Sequence, residues 1–173
     1  MIEAPRIAVL GGTFDPVHLG HLQFAKSLRD GLSTDEIACQ VRMIPCHIPP
    51  HRGTPVATAA QRQEMLELAL VDVGGVVLDD RELRLDRTSY SVDTLADLRT
   101  EFPDAALCLA VGMDAYAGFE SWHRWRDILE LASLVVATRP GFDLDLDESS
   151  LCERHVQLGE ISGPGDIAFL PIP

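Results

Sequence analysis

No run in this 173-residue chain approaches the roughly 20 apolar residues that a membrane-spanning helix needs. The N-terminus, MIEAPRIAVL, has an early acidic residue and no small-residue cleavage pattern, so a secretory leader is not expected and a cytoplasmic location is. Basic residues are scarce: 14 Lys and Arg face 27 Asp and Glu, for a net charge of −13. That balance argues against general DNA or RNA binding, which requires neutralising runs of phosphates. Part of the acid excess is local, because Asp143, Asp145, Asp147 and Glu148 fall in one short segment that reads as a solvated loop. The four cysteines, Cys39, Cys46, Cys108 and Cys152, form no C-x-x-C pair, and Cys39 and Cys108 lie in apolar runs. Reduced core thiols are the expectation for those two. His47 and His51 near Cys46 make a poor metal site, with two prolines between them and no second ligand pair. Internal repeats and low-complexity stretches are absent as well.

What is present is an alternation of strand and helix. Arg6–Leu10 is a short apolar run stopped by Gly11-Gly12, as expected of a buried parallel strand. A helix follows from Leu19, with Leu22, Phe24, Ala25 and Leu28 on its apolar side and Gly31 as a stop. Ile37–Ile44, Val76–Asp79, Leu107–Val111, Leu134–Thr138 and Ile167–Leu170 are the further strand candidates. Between them fall a helix at Ala59–Val71 capped by Thr58, with Met65, Leu66, Leu68 and Ala69 as its apolar side, one at Val92–Phe102 capped by Ser91, and a helical region reaching Leu131. The predicted fold is α/β, one Rossmann-like, doubly wound parallel sheet in a single domain over residues 1–173. Ligands of such sheets sit beyond the carboxyl ends of the strands.

The segment Gly11-Gly12-Thr13-Phe14-Asp15-Pro16-Val17-His18-Leu19-Gly20-His21 falls at that place. Two glycines permit a sharp turn and a close approach of backbone to phosphate. The helix start that follows offers free N–H groups and the positive end of its dipole to an anion. His18 and His21, three residues apart, can face one site and stabilise charge there. The spacing is neither G-x-G-x-x-G nor G-x-x-x-x-G-K-[ST], which removes support for dinucleotide dehydrogenases and P-loop hydrolases.

This segment resembles the signature of the HxGH nucleotidyltransferase superfamily. The resemblance implies that Gly12, Thr13 and Phe14 lie along a nucleoside triphosphate, and that His18 and His21 contact its phosphates and stabilise the transition state, with Thr13 also in the catalytic set. Four more segments are similar to bacterial nicotinate-nucleotide adenylyltransferases in particular: Ile44 to Arg52, Arg87 to Leu95, Gly112-Met113-Asp114 with Trp122 and Trp125, and Thr138-Arg139-Pro140-Gly141. By that resemblance His51 and Arg52 hold phosphates of the mononucleotide or of ATP. Ser91, at a helix start, helps N–H groups receive the nicotinate carboxylate, and Trp122 stacks on the pyridine ring. Gly112 belongs to the G-x-D turn, Asp114 contacts the ATP ribose or neighbouring groups, and Arg139 lies near the adenine.

The implied reaction joins nicotinate mononucleotide to the adenylyl group of ATP, giving deamido-NAD and pyrophosphate in NAD biosynthesis. ATP is the co-substrate, Mg²⁺ rides on its triphosphate with no dedicated protein ligands, and homo-oligomerisation is left open. The rival readings are another HxGH adenylyltransferase, taking nicotinamide mononucleotide or phosphopantetheine, and a non-catalytic nucleotide-binding module. The sequence departs from the family pattern in three places. Ser91 replaces a usual Thr, Cys46 stands where Asn is common, and no I-S-S-T-x-I-R segment follows Leu170 before Pro173. The last departure leads us to expect a truncated or naturally shortened chain, with weakened or absent triphosphate binding if this length is natural.

Overall fold

The structure, a computed structural model, describes residues 4–141 and 150–173. The acidic stretch containing Asp143, Asp145, Asp147 and Glu148 lies outside the described residues. In chain order the elements are β1 (Arg6–Gly12), α1 (Leu19–Leu32), β2 (Cys39–Pro45), α2 (Ala59–Ala69), β3 (Val76–Leu78) and α3 (Ser91–Glu101). They continue with β4 (Ala106–Gly112), α4 (Met113–Ala117), α5 (Trp125–Leu131), β5 (Ser133–Thr138) and β6 (Ile167–Pro171). The strands form one sheet in the order β3-β2-β1-β4-β5-β6, and every neighbouring pair is parallel. The chain steps outward from β1 to β3, then returns to the other side of β1 as β4. That reversal opens the crevice above β1 and β4, as the strand–helix alternation implied.

The two-residue period of a strand divides the core between the sheet's faces. Ile7 and Val9 of β1, Leu107, Leu109 and Val111 of β4, and Leu134 and Val136 of β5 turn one way, onto α3 and α5. Ala8 and Leu10, Val41 and Met43, Cys108 and Val135 turn the other way, onto α1 and Leu66 of α2. Cys39 and Cys108 are buried free thiols; burial pushes Cys39 up to about 12 and raises Cys108, so both act as apolar core side chains.

Several local expectations are corrected. Gly31 does not end α1; the helix runs to Leu32, with Ser33 at its C-cap. A Cβ at Gly31 would come within 3.0 Å of the Leu158 side chain, so close packing explains this glycine. β2 starts at Cys39 rather than Ile37, because the Thr34 hydroxyl accepts the Ile37 N–H and holds the preceding residues in a turn. Thr58 caps α2 as expected, accepting the Gln61 N–H at 3.1 Å. On that helix, however, Leu68 is 69% exposed while Arg62 is buried. Ser91 is the first residue of α3, and Tyr90 occupies the cap position. The helical region before Leu131 is broken into α4, a single 3₁₀ turn at Phe119–Ser121, and α5, which Arg124 precedes in the left-handed region at φ 53°.

Candidate active site

A cavity of about 700 Å³ opens beyond the carboxyl ends of β1 and β4, beside the loop after β2. Three stretches of chain meet on it: the loop and helix start after β1, the proline-stiffened loop after β2, and the start of α3 facing Trp122. Gly12, Thr13, Phe14, His18, His21, His51, Arg52, Ser91 and Trp122 all line it. Gly112, Asp114 and Arg139 do not. They are exposed at the carboxyl ends of β4 and β5, the strands next in order to β1.

The loop after β1 owes its shape to burial of one ring. Phe14 takes φ 50° and is 2% exposed, its ring 4.9 Å from that of His21 and nearly perpendicular to it. A Cβ on Gly12 would come 3.1 Å from the same ring, so this glycine makes room for Phe14. The Phe14 side chain therefore supports the site from beneath and offers a ligand only its backbone. Asp15 closes the turn by accepting the N–H groups of Val56 and Ala57 at 2.7 and 2.9 Å. Those two bonds hold the Asp15 carboxyl below its usual range.

The two histidines stack, with ring centroids 3.7 Å apart and planes 22° from parallel. His21 Nδ1 accepts the backbone N–H of His18 at 3.1 Å. The remaining ring nitrogen, Nε2, must then carry the proton of the neutral ring and is a donor. Burial, followed by the neighbouring His18 and Arg52, pushes His21 down to about 4. At neutral pH His21 is thus an uncharged donor of fixed tautomer. Gly20 permits the arrangement, since a Cβ there would lie 3.0 Å from Cε1 and Nδ1 of His18. The glycine of H-x-G-H exists, on this geometry, to let the first histidine fold over the helix start.

The opposite wall carries aromatic rings and an uncapped helix start. Trp122 is half-buried against Phe119, with centroids 5.5 Å apart, and His123 lies 4.2 Å from the Tyr90 ring. Tyr90 gives α3 no side-chain cap, and the N–H groups of Ser91 and Val92 have no partner within the described protein. The start of α3 is therefore free to accept a negative group. Glu82 also lines the cavity; burial raises its carboxyl, and the Thr94 hydroxyl donates to it at 2.6 Å. Cys46 is buried, its Sγ 3.7 Å from the Thr13 hydroxyl.

Sequence reading missed Arg62, Glu82 and the Tyr90–His123 pair. Arg62 had a signal: it shares a helix face with Met65, Leu66 and Ala69, where a cation is out of place unless it is bonded. Glu82 had none, because its burial depends on α3 folding over it.

A family model described as cytidylyltransferase-like matches residues 9–163. A protein of Aeromonas hydrophila named "Probable nicotinate-nucleotide adenylyltransferase" is 48% identical over 153 residues, covering 87% of this chain and 70% of that protein. A protein of the same name from Methylococcus capsulatus is 45% identical over 166 residues, covering 95% and 76%. The chain belongs to the nicotinate-nucleotide adenylyltransferase family. The fold agrees with that membership: nicotinic acid mononucleotide adenylyltransferase of Plasmodium falciparum, solved in complex with NaAD, superposes with a TM-score of 0.72. That alignment covers 98% of this chain and 76% of the other at 17% identity. Among the described residues no helix is long and apolar enough to cross a membrane, and no group of three His, Cys, Asp or Glu side chains gathers at one point.

Proposed function

We propose that this chain transfers the adenylyl group of ATP to the phosphate of nicotinate mononucleotide, yielding deamido-NAD and pyrophosphate. The reading is carried by one observation. A histidine pair at the start of α1 faces the same cavity as the uncapped start of α3 and Trp122. The first suits a polyphosphate, and the second suits an aromatic ring bearing a carboxylate.

The mononucleotide phosphate oxygen attacks the α-phosphorus of ATP in line, a P–O bond to pyrophosphate breaks, and the leaving group carries away its electron pair. The nucleophile is already anionic, so no general base is required. Alignment does most of the work, for which effective molarities on the order of 10⁵–10⁸ M are attainable. His21 donates through Nε2–H to a phosphoryl oxygen without the cost of moving a proton. His18, Arg52 and the free N–H groups of α1 neutralise charge developing on the phosphates. Losing one such donor typically costs about 10²–10³ in rate. Ser91 and Val92 N–H groups take the nicotinate carboxylate, which favours the acid over the amide, while Trp122 covers the pyridine ring. Gly112, Asp114 and Arg139, outside the cavity lining, are assigned to the adenosine portion of ATP. Mg²⁺ enters as part of the ATP substrate and supplies charge neutralisation on the triphosphate. A cytoplasmic site of action belongs to the same proposal.

The test is pyrophosphate release from ATP and Mg²⁺ with nicotinate mononucleotide, nicotinamide mononucleotide or phosphopantetheine as acceptor, using His18→Ala as control. Turnover confined to the first acceptor and lost in the variant is the expected result. Equal turnover with the amide would refute the role given to the α3 start. No turnover with any acceptor would refute the transfer reading.

A further inference from the structure

Arg62 is 1% exposed and forms no ion pair among the described residues. A buried guanidinium without a carboxylate is costly unless its donors are used, and here they are used on main-chain carbonyls. Nη1 donates to Thr13 O at 2.9 Å and to Cys46 O at 2.7 Å; Nη2 reaches His47 O at 3.4 Å. Its Nε stays buried without a partner.

The location gives these bonds their meaning. The β1–β2 register ends with Gly12 opposite Pro45, and the last main-chain bond beyond it is Cys46 N–H to Gly12 O at 2.9 Å. Thr13 and Cys46 are the next residues on each strand. Where the ladder stops, the guanidinium of Arg62 ties the two departing chains together.

Each bond also orients a peptide. In a trans peptide the carbonyl and the following N–H point in opposite directions. With Thr13 O held by Arg62, the Phe14 N–H points away from Arg62, and it has no partner within the described protein. With Cys46 O held, the His47 N–H points away too, and it donates to the Ser89 hydroxyl at 3.0 Å. Ser89 and Tyr90 lead directly into α3. One side chain therefore connects the phosphate loop, the loop after β2 and the approach to α3, which all line the cavity. Asp15 and the Thr58 cap fix the start of α2 and so deliver Arg62 to this point.

We infer that Arg62 is a positioning residue for adenylyl transfer: it sets the separation between the ATP-binding and acceptor-binding halves and turns the Phe14 N–H toward the phosphates. Arg62 touches neither substrate, so its effect falls on alignment. The inference rests on the proposed function for its kinetic readout. Arg62→Met should lower kcat, normalised to the folded fraction, by about 10²-fold, the scale of an ångström-sized misplacement. KM for ATP and for the mononucleotide should change less than about threefold. Arg62→Lys, which keeps the charge and can reach one carbonyl, should recover part of the loss. Normal kcat per folded molecule in Arg62→Met would overturn the inference, as would a loss expressed wholly in one KM. A wild-type chain inert toward both substrates would refute the transfer reading alone. The coupling is then read by amide hydrogen exchange at His47, which Arg62→Met should accelerate at least tenfold while Leu134 in β5 stays protected. Unchanged exchange at His47 would refute the connection itself.

Discussion

Replacing Gly20 by Ala separates stability from activity at the H-x-G-H site. The residue is the second of α1, in a conformation that an L-residue adopts without strain, and alanine is the better helix former by up to about 1 kcal/mol. Against that gain stands the added Cβ, which would lie 3.0 Å from two atoms of the His18 ring. Ordinary contact begins near 3.4 Å, so the ring must move by some tenths of an ångström or rotate about χ1. His18 is exposed and can do either. An off-rotamer ring costs about 0.5–1.5 kcal/mol, close to the helix gain. Net stability should therefore stay within about 1 kcal/mol of wild type. Catalysis has no such compensation, because the ring leaves its 3.7 Å stack on His21 and the place beside the phosphates proposed for it. The expected outcome is a thermal midpoint within about 4 °C of wild type, with pyrophosphate release lower by about 10²-fold. Full activity in a folded Gly20→Ala protein would refute the claim that this glycine exists to place His18. A collapse in stability would refute the energy balance.

The His21 ring is held neutral, so its Cε1–H resonance should titrate near 4, well below an ordinary histidine. The unfolded chain takes up this proton near 6.5 and the folded chain does not, so His21 removes stability as pH falls from about 6.5 to about 4. Denaturant melts across that window, compared with His21→Asn, measure the contribution. Glu82 works in the other direction: its raised carboxyl makes ionisation unfavourable in the fold, so stability is lost as pH rises above the ordinary value of 4.5. Glu82→Gln keeps an acceptor for the Thr94 hydroxyl and should be more stable than wild type at pH 7 but not at pH 4. Thr58→Ala removes the α2 cap at a cost of about 1 kcal/mol, or about 2–4 °C in a scanning melt. Trp122→Ala should raise KM for nicotinate mononucleotide by at least tenfold with a smaller effect on KM for ATP; equal effects on both would argue against the stacking role.

Much of the molecule is legible in short stretches of sequence. A strand and a helix differ in period, so RIAVL before Gly11-Gly12, and the apolar spacing of Leu22, Ala25 and Leu28, sufficed to place β1 and α1 and the glycine turn between them. Thr58 as a cap depends only on a neighbour three residues away. The H-x-G-H pair, the proline-stiffened loop and Trp122 could likewise be named, because each carries its chemistry in its own residues. Other features depend on partners far along the chain. Gly31 read as a helix stop because Leu158 was out of view; Ser91 read as a cap because the entry angle of α3 is set by Tyr90 and the residues packed around it. Phe14 lines the cavity as its place in the loop suggested, but the burial of its ring against Gly12 and His21 was not legible. Arg62 finds its acceptors 16 and 49 residues away, at Cys46 and Thr13. Local pattern decides which backbone groups can face a ligand. Burial and charge decide protonation, tautomer and alignment, and these come into being only when the distant segments close over His21, Glu82 and Arg62.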